Sequence, residues 1–264
     1  MTGIEYKKFL TKKEPEKALI LAFKKKAGRA SSGRITVRHR GGGVKKLYRV
    51  VDFGQGKIDI PGKIIALEYD PYRTAFIALV EYKDGEKRYI LASQDLKVGD
   101  EIMCAEKTPI SPGNRMRLKN IPVGSMVYNI EIEPGRGGKM VKGAGTAAKI
   151  LAQEAGFTNL QMPSSEIRKV RDNCFASTGM VSNPEHKFVV LGKAGRKRLM
   201  GWRPTVRGTA MNPVDHPHGG GEGKTTTGLK YPKTPWGKPA RGVKTRKKKR
   251  WTNRFILQRR KKKK

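Results

Sequence analysis

GKIIALEYDPYRTAFIALVEYKDGEKRYILA, residues 62–92, decides the fold. It divides into three short runs, GKIIALEYD, TAFIALVEY and EKRYILA, separated by Pro71 and by Lys83-Asp84-Gly85-Glu86. β-Branched and aromatic residues suit a pleated, half-buried surface, so each run is a predicted strand. The Asp-Gly pair predicts a hairpin closed by a type I′ turn. Working outward, LYRVVDF at 47–53 is a further run of this kind, and DEIMCAE at 100–106 follows Gly99. Five short strands with no long helical pattern between them predict a small closed barrel of the OB-fold type.

Pro109 to Pro122, with Pro112-Gly113-Asn114 inside it, reads as a linker. Beyond it a second set begins: SMVYNIEIE, GTAAKILAQEA, FTNLQMP and SEIRKVR, with Pro134-Gly135-Arg136-Gly137-Gly138 as a long turn. GTAAKILAQEA has a helix-like alanine content, but it lies between Gly145 and Gly156 among β-runs and is assigned as a strand. These runs predict an SH3-like barrel. The expected class is mainly β: a basic N-terminal extension over 1–46, an OB-fold domain over 47–121, an SH3-like barrel over 122–186 and a basic C-terminal extension over 187–264.

Charge follows the same division. The chain has 264 residues and a net charge of +36. Residues 1–49 carry a net +12, residues 50–186 only +1, and residues 187–264 carry +23. Self-repulsion on this scale calls for a polyanionic partner. Arg and Lys neutralise phosphate and release counterions, and interleaved aromatic rings can stack on unpaired bases. The candidate RNA contacts are therefore Arg34, Arg38, His39, Arg40, Lys45 and Lys46 in the first arm, and Arg136 and Lys139 on the long turn. In the second arm they are Lys193, Arg196, Lys197, Arg198, Trp202, Arg203, Arg207, Asn212, Lys224, Trp236, Arg241, Lys244 and Arg246, with Trp251 also interleaved. Any one of the cations alone is better explained as a solvated charge, and each tryptophan equally well as packing against the protein's own arm. From Gly223 onward there are 18 basic and no acidic residues, and this tail is expected to be disordered in free solution.

Cys104 and Cys174 have no CxxC or histidine partner at ligand spacing, so neither a disulfide framework nor a zinc site is expected. Neither a signal-peptide pattern nor an apolar run long enough to span a bilayer is visible, and a reducing, cytosol-like compartment fits best.

One stretch invites a chemical reading: GTAMNPVDHPHGGGEGK, residues 208–224, which holds His216, His218, Gly219-Gly220-Gly221, Asp215 and Glu222. HGGGEGKT lacks the first glycine of a nucleotide-binding loop, and poor helix material follows it. The esterase oxyanion loop that it echoes needs a G-x-S-x-G elbow, which the chain does not contain. A glycine nest for nucleic-acid phosphate, built from Gly219, Gly220 and Gly221, remains. His216 as the general base of an RNA- or acyl-directed enzyme is the rival reading.

RGGGVKKLYRVVDF, IPVGSMVYNIE and LGKAGRKRLMGWRPTVRGTAMNPVDHPHGGGEGK closely resemble the family of the universal second protein of the large ribosomal subunit, in its bacterial or organellar form. The similarity runs from about residue 33 to the C-terminus. It implies an OB-fold barrel, an SH3-like barrel and basic extensions embedded in large-subunit ribosomal RNA. It also implies contacts with other ribosomal proteins and with the small subunit, and support of subunit joining and of the peptidyl-transferase region. Asp215, His216 and His218 would lie toward that centre, with His216 positioning rather than catalysing. No cofactor, metal, membrane or small-molecule substrate is implied. The expected place is the ribosome in the cytoplasm or an organelle.

Overall fold

A computed structural model describes residues 5–11 and 14–260; residues 1–4, 12 and 13 of the first extension and the last four lysines of the tail lie outside the described residues. Two compact units emerge. The first comprises residues 1–24, 45–192 and 254–264, and the second residues 25–44 and 193–253.

Within the first unit, β1 (Ile20–Ala22) pairs antiparallel with β2 (Leu47–Arg49). The decisive stretch forms β3 (Gly62–Glu68), β4 (Ile77–Tyr82) and β5 (Lys87–Leu91), and β6 (Glu101–Ile102) joins it in the order β5-β4-β3-β6. Ala78, Val80 and Tyr82 enter one apolar cluster, whereas Ile77 and Leu79 enter another, so β4 is covered on both faces. A bulge in β3 matters here. Register shifts between Ile64 and Ala66, which sends these residues, two apart, to opposite clusters and curls the sheet. Residues 5–11 and 14–24, in the stretch expected as a basic N-terminal extension, pack on this barrel. The Tyr6 ring packs edge-on to Phe76 at 5.6 Å, and the Glu16 N–H donates to the Tyr89 hydroxyl at 2.9 Å.

The hairpin between β4 and β5 forms, but not with the expected turn. Only Gly85 has positive φ (78°), the Gly85 N–H donates to the Tyr82 carbonyl, and the Tyr82 N–H donates to that of Glu86. This is a type I turn with a glycine bulge, which tolerates Asp84 in an ordinary conformation. Positive φ at both central residues, as type I′ requires, occurs instead at Ala155 (49°) and Gly156 (77°).

The expected linker is also corrected. Residues 115–117 form a strand, β7 (Arg115–Arg117), and a 3-10 turn at Leu118–Asn120 follows. Met116 and Leu118 are fully buried there. The remaining strands of the unit are β8 (Met126–Tyr128), β9 (Ile130–Glu131), β10 (Gly138–Met140), β11 (Ala148–Glu154), β12 (Phe157–Gln161), β13 (Ile167–Arg171), β14 (Phe175–Thr178) and, from the tail, β15 (Ile256–Gln258). The second sheet runs β15-β13-β12-β11-β8-β14-β7, with β9 and β10 paired beside it. Its core is built from Met116, Leu118, Val127, Ile130, Ile150, Leu160, Val170 and Ala176. The SH3-like barrel thus recruits strands from both sides of the 122–186 span.

One charged pair is enclosed by this barrel. Arg115 is fully buried, donating to the Glu131 carboxylate at 3.1 Å and to the Asn129 carbonyl at 2.7 Å. Burial draws its pKa down, and Glu131 opposes that shift. The two barrels meet through Phe53, whose carbonyl accepts from the Gly138 N–H (2.9 Å) and the Asn129 side-chain amide (3.2 Å).

The second unit contains one α-helix, α1 (Ala194–Leu199), and otherwise turns and short bridges. Among the described residues no helix is long and apolar enough to cross a membrane.

Candidate nucleic-acid interface

The basic arms meet as backbone before they meet as charge. Arg40 and Trp202 form an antiparallel bridge. The Gly41 N–H donates to the Gly201 carbonyl (3.0 Å), that of Val44 to Leu199 (3.0 Å) and that of Arg203 to His39 (3.1 Å). The guanidinium of Arg40 lies 3.4 Å over the Trp202 ring, and that of Arg38 lies 5.3 Å over Trp236. One face of Trp202 and one face of Trp236 are therefore covered by a cation of the first arm. Arg34, Arg38, Arg40 and Arg203 are exposed, as are Lys193, Arg196, Lys197 and Arg198 on and beside α1. Arg207, Asn212, Lys224, Arg241 and Lys244 are exposed too; Arg246 is turned back onto Thr252 and Asn253.

The 208–224 loop closes on itself. The Asn212 carbonyl accepts from the Asp215 and His216 amides at 3.0 and 3.2 Å, the Gly219 N–H donates to His216 at 2.8 Å, and the Gly220 N–H donates to Met211 at 3.1 Å. Two amides of the glycine triplet thus point inward, so it is not the open phosphate nest that the sequence invited. Its small residues serve the loop's own packing. A Cβ at Gly219 would collide with the Asn212 carbonyl, and one at Gly208 with the His216 ring.

His216 is buried, and its Nδ1 accepts the His218 N–H at 3.1 Å. A backbone amide can only donate, so the neutral ring carries its proton on Nε2. The Nε2 of His218 similarly accepts the Lys233 N–H at 2.9 Å, and the two rings lie 4.7 Å apart. Loss of hydration, with His216 and Lys233 beside it, draws the His218 pKa below its ordinary value. Asp215 is exposed, and among the described residues no hydrogen bond joins it to His216. An imidazole whose only unprotonated nitrogen is already occupied is poorly placed to take a proton from a substrate.

On the first unit, Lys45 and Lys139 are exposed, Arg136 pairs with Glu133 at 2.9 Å, and the ammonium of Lys46 donates to the Pro71 carbonyl at 3.0 Å. Sequence reasoning missed a stronger cluster. Arg73 stands 5.2 Å and Lys142 3.9 Å from the centre of the Phe53 ring, and Arg73 also covers Tyr48 at 5.1 Å. Tyr48 in turn packs with Phe23 and Tyr72. Burial, then repulsion from Arg73 and Lys139, lowers the Lys142 pKa, although Arg73 itself pairs with the buried carboxylate of Asp70. The clue available was DPYR at 70–73, a turn carrying an aromatic and an arginine. By contrast, the outer face of the first sheet alternates charge across its strands: Glu101 stands opposite Lys63, Lys63 opposite Glu81, and Glu81 opposite Lys87.

Ion pairing divides in the same way. The ion pairs described, including Lys57 with Asp84 and Glu86, and Arg88 with Asp52 and Glu86, fall between residues 5 and 136. The second unit has 23 lysines and arginines against Asp215 and Glu222 as its only acids. Among the described residues no group of three or more His, Cys, Asp or Glu side chains could hold a metal ion.

Comparison with protein families gives two matches in register with this architecture. The model of Ribosomal Proteins L2, RNA binding N-terminal domain, matches residues 16–104, and that of Ribosomal Proteins L2, C-terminal domain, matches residues 111–237. The second match includes the strand first read as a linker. With an OB-type barrel, an SH3-like barrel and cationic arms carried in the order of the two family models, the chain belongs to the ribosomal protein L2 family, whose members are RNA-binding structural proteins of the ribosome.

Proposed function

We propose that this chain is a structural constituent of the large ribosomal subunit, binding large-subunit ribosomal RNA through its arms and through the Arg73–Phe53–Lys142 cluster. The observation that carries this reading is the division of charge. Residues 50–186 balance 18 cations with 17 carboxylates, while the second unit gathers 23 cations around two acids. Only a polyanion can compensate such an excess, and a protein of the L2 family has ribosomal RNA at hand. In this reading Arg34, Arg38, Arg40, Arg203 and Arg207 fork onto phosphates, and the 208–224 loop faces the peptidyl-transferase region. His216 shapes that loop, and the same contacts support assembly and subunit joining.

The test is reconstitution of large subunits with His216→Ala protein. The expected result is slower or incomplete assembly, with the particles that do form retaining a measurable rate of peptide-bond formation. Full assembly with complete loss of the chemical step would instead make His216 a catalyst. Cofractionation with large subunits should persist in high salt, because multiple shaped contacts outlast a purely electrostatic attachment.

A further inference from the structure

The arms at opposite ends of the chain share one folded unit, and the contact between them is specific. Three backbone hydrogen bonds join residues 39–44 to residues 199–203. A fourth contact links His39 Nδ1 to the Pro204 carbonyl at 3.1 Å. At Gly43 the approach is too close for any side chain: a Cβ would lie 2.8 Å from the Gly201 Cα, and φ is 79°. Over this ladder Arg40 stacks on Trp202. The indole face holds the guanidinium by its π-electrons, and the edge of the guanidinium keeps donors for phosphate.

The contact has an electrostatic cost. It gathers Arg38 and Arg40 of one arm with Lys197 and Arg203 of the other, and Lys197 lies 6.0 Å from the same indole. Like charges so gathered repel unless a polyanion lies across them, so RNA and the clasp favour one another.

We infer that the two arms bind ribosomal RNA as a single co-folded module, with Arg40 and Trp202 as the positioning pair that aligns them. This rests on the RNA-binding reading above and adds to it that neither arm reaches its phosphates alone. The experiment is salt-titrated binding of the full chain to purified large-subunit ribosomal RNA, with hydroxyl-radical footprinting of the protein. Trp202→Ala removes no charge, so independent arms would leave the salt slope unchanged. Co-folded arms lose phosphates together, and the slope should fall by the equivalent of about two or more counterions. Protection of residues 25–44 should weaken several-fold in the same variant, and Trp202→Phe, which keeps an aromatic face, should restore most of both. Gly43→Ala parts the ladder without touching the stack and should reproduce the loss. An unchanged slope and footprint in both Trp202→Ala and Gly43→Ala would overturn the inference. Arg34→Gln separates the two levels. A slope lowered by about one shows the first arm on RNA whatever the clasp does, and no change there defeats the RNA-binding reading itself.

Discussion

His216 shows how much one side chain can depend on its neighbours. Its ring fits because residue 208 has no Cβ, and its tautomer is set because the His218 amide donates to Nδ1. Asparagine places an oxygen near the position of Nδ1, whereas glutamine reaches one methylene further. His216→Asn should therefore keep the His218 amide slow in hydrogen exchange, and His216→Gln should release it. His216→Ala should cost the unit about 2–4 kcal/mol through the lost bond and the emptied site. Equal exchange in the Asn and Gln variants would disprove the Nδ1 role. His218 adds a pH dependence. Its folded pKa lies below the ordinary histidine value of 6.5, so its contribution to stability is complete above that value and fades as pH falls through the lowered one. Thermal stability of the second unit should fall below about pH 6.5, and His218→Asn should flatten that slope. None of this could be read from DHPHGGG. The motif marked the loop, but the burial of His216 depends on Gly208, and the proton position of His218 on Lys233, residues whose closeness appears only in the fold.

The element that best tests the packing is β9, through Glu131. One of its carboxylate oxygens takes the Arg115 guanidinium, and the other accepts the amides of Phe175 and Gly135 at 3.1 Å each. Arg115→Met should destabilise the second barrel by about 3–5 kcal/mol, because it leaves a carboxylate buried without its cation. Adding Glu131→Leu should recover only part of that loss, since the Phe175 and Gly135 amides then lack an acceptor. Urea unfolding of the two variants decides this, and full recovery in the double variant would show the amide bonds to be unimportant. β7, which supplies Arg115, was hidden in the sequence. Pro109 to Pro122 read as a linker because of Pro112-Gly113-Asn114, whereas the strand runs of residues 62–92 announced themselves by dense Ile, Val, Leu and Tyr. The bulge at Ile65 and the type I turn at Gly85 were equally hidden, because each depends on cross-strand register rather than on composition.

At the scale of the whole molecule, the charge division was legible by counting, but the route of the chain was not. The polypeptide leaves the first unit after Gly192 and returns at Arg254, so the long segment of the second unit is held at both ends. The return is made by β15, three residues in a tail otherwise dominated by lysine and arginine. It pairs with β13 through Ile167 opposite Gln258 and Arg168 opposite Ile256. Phe255 packs on Phe157 with ring centres 6.3 Å apart. Without β15 the outer edge of β13 would present unpaired amides, the usual liability of an edge strand. Fixing both ends also shortens the reach of the arm and lowers the entropy it must lose on RNA. Removal of residues 254–264 should therefore raise hydrogen exchange at the β13 amides facing β15 by about 1–2 kcal/mol of lost protection. Exchange in β3, β4 and β5 should stay unchanged, because those strands belong to the other sheet. RNA affinity should fall by more than replacement of the tail's cations with glutamine causes, since the truncation loses the anchor as well as the charge. If the glutamine variant and the truncation bind alike, and β13 exchanges as before, β15 anchors nothing and the tail acts by charge alone.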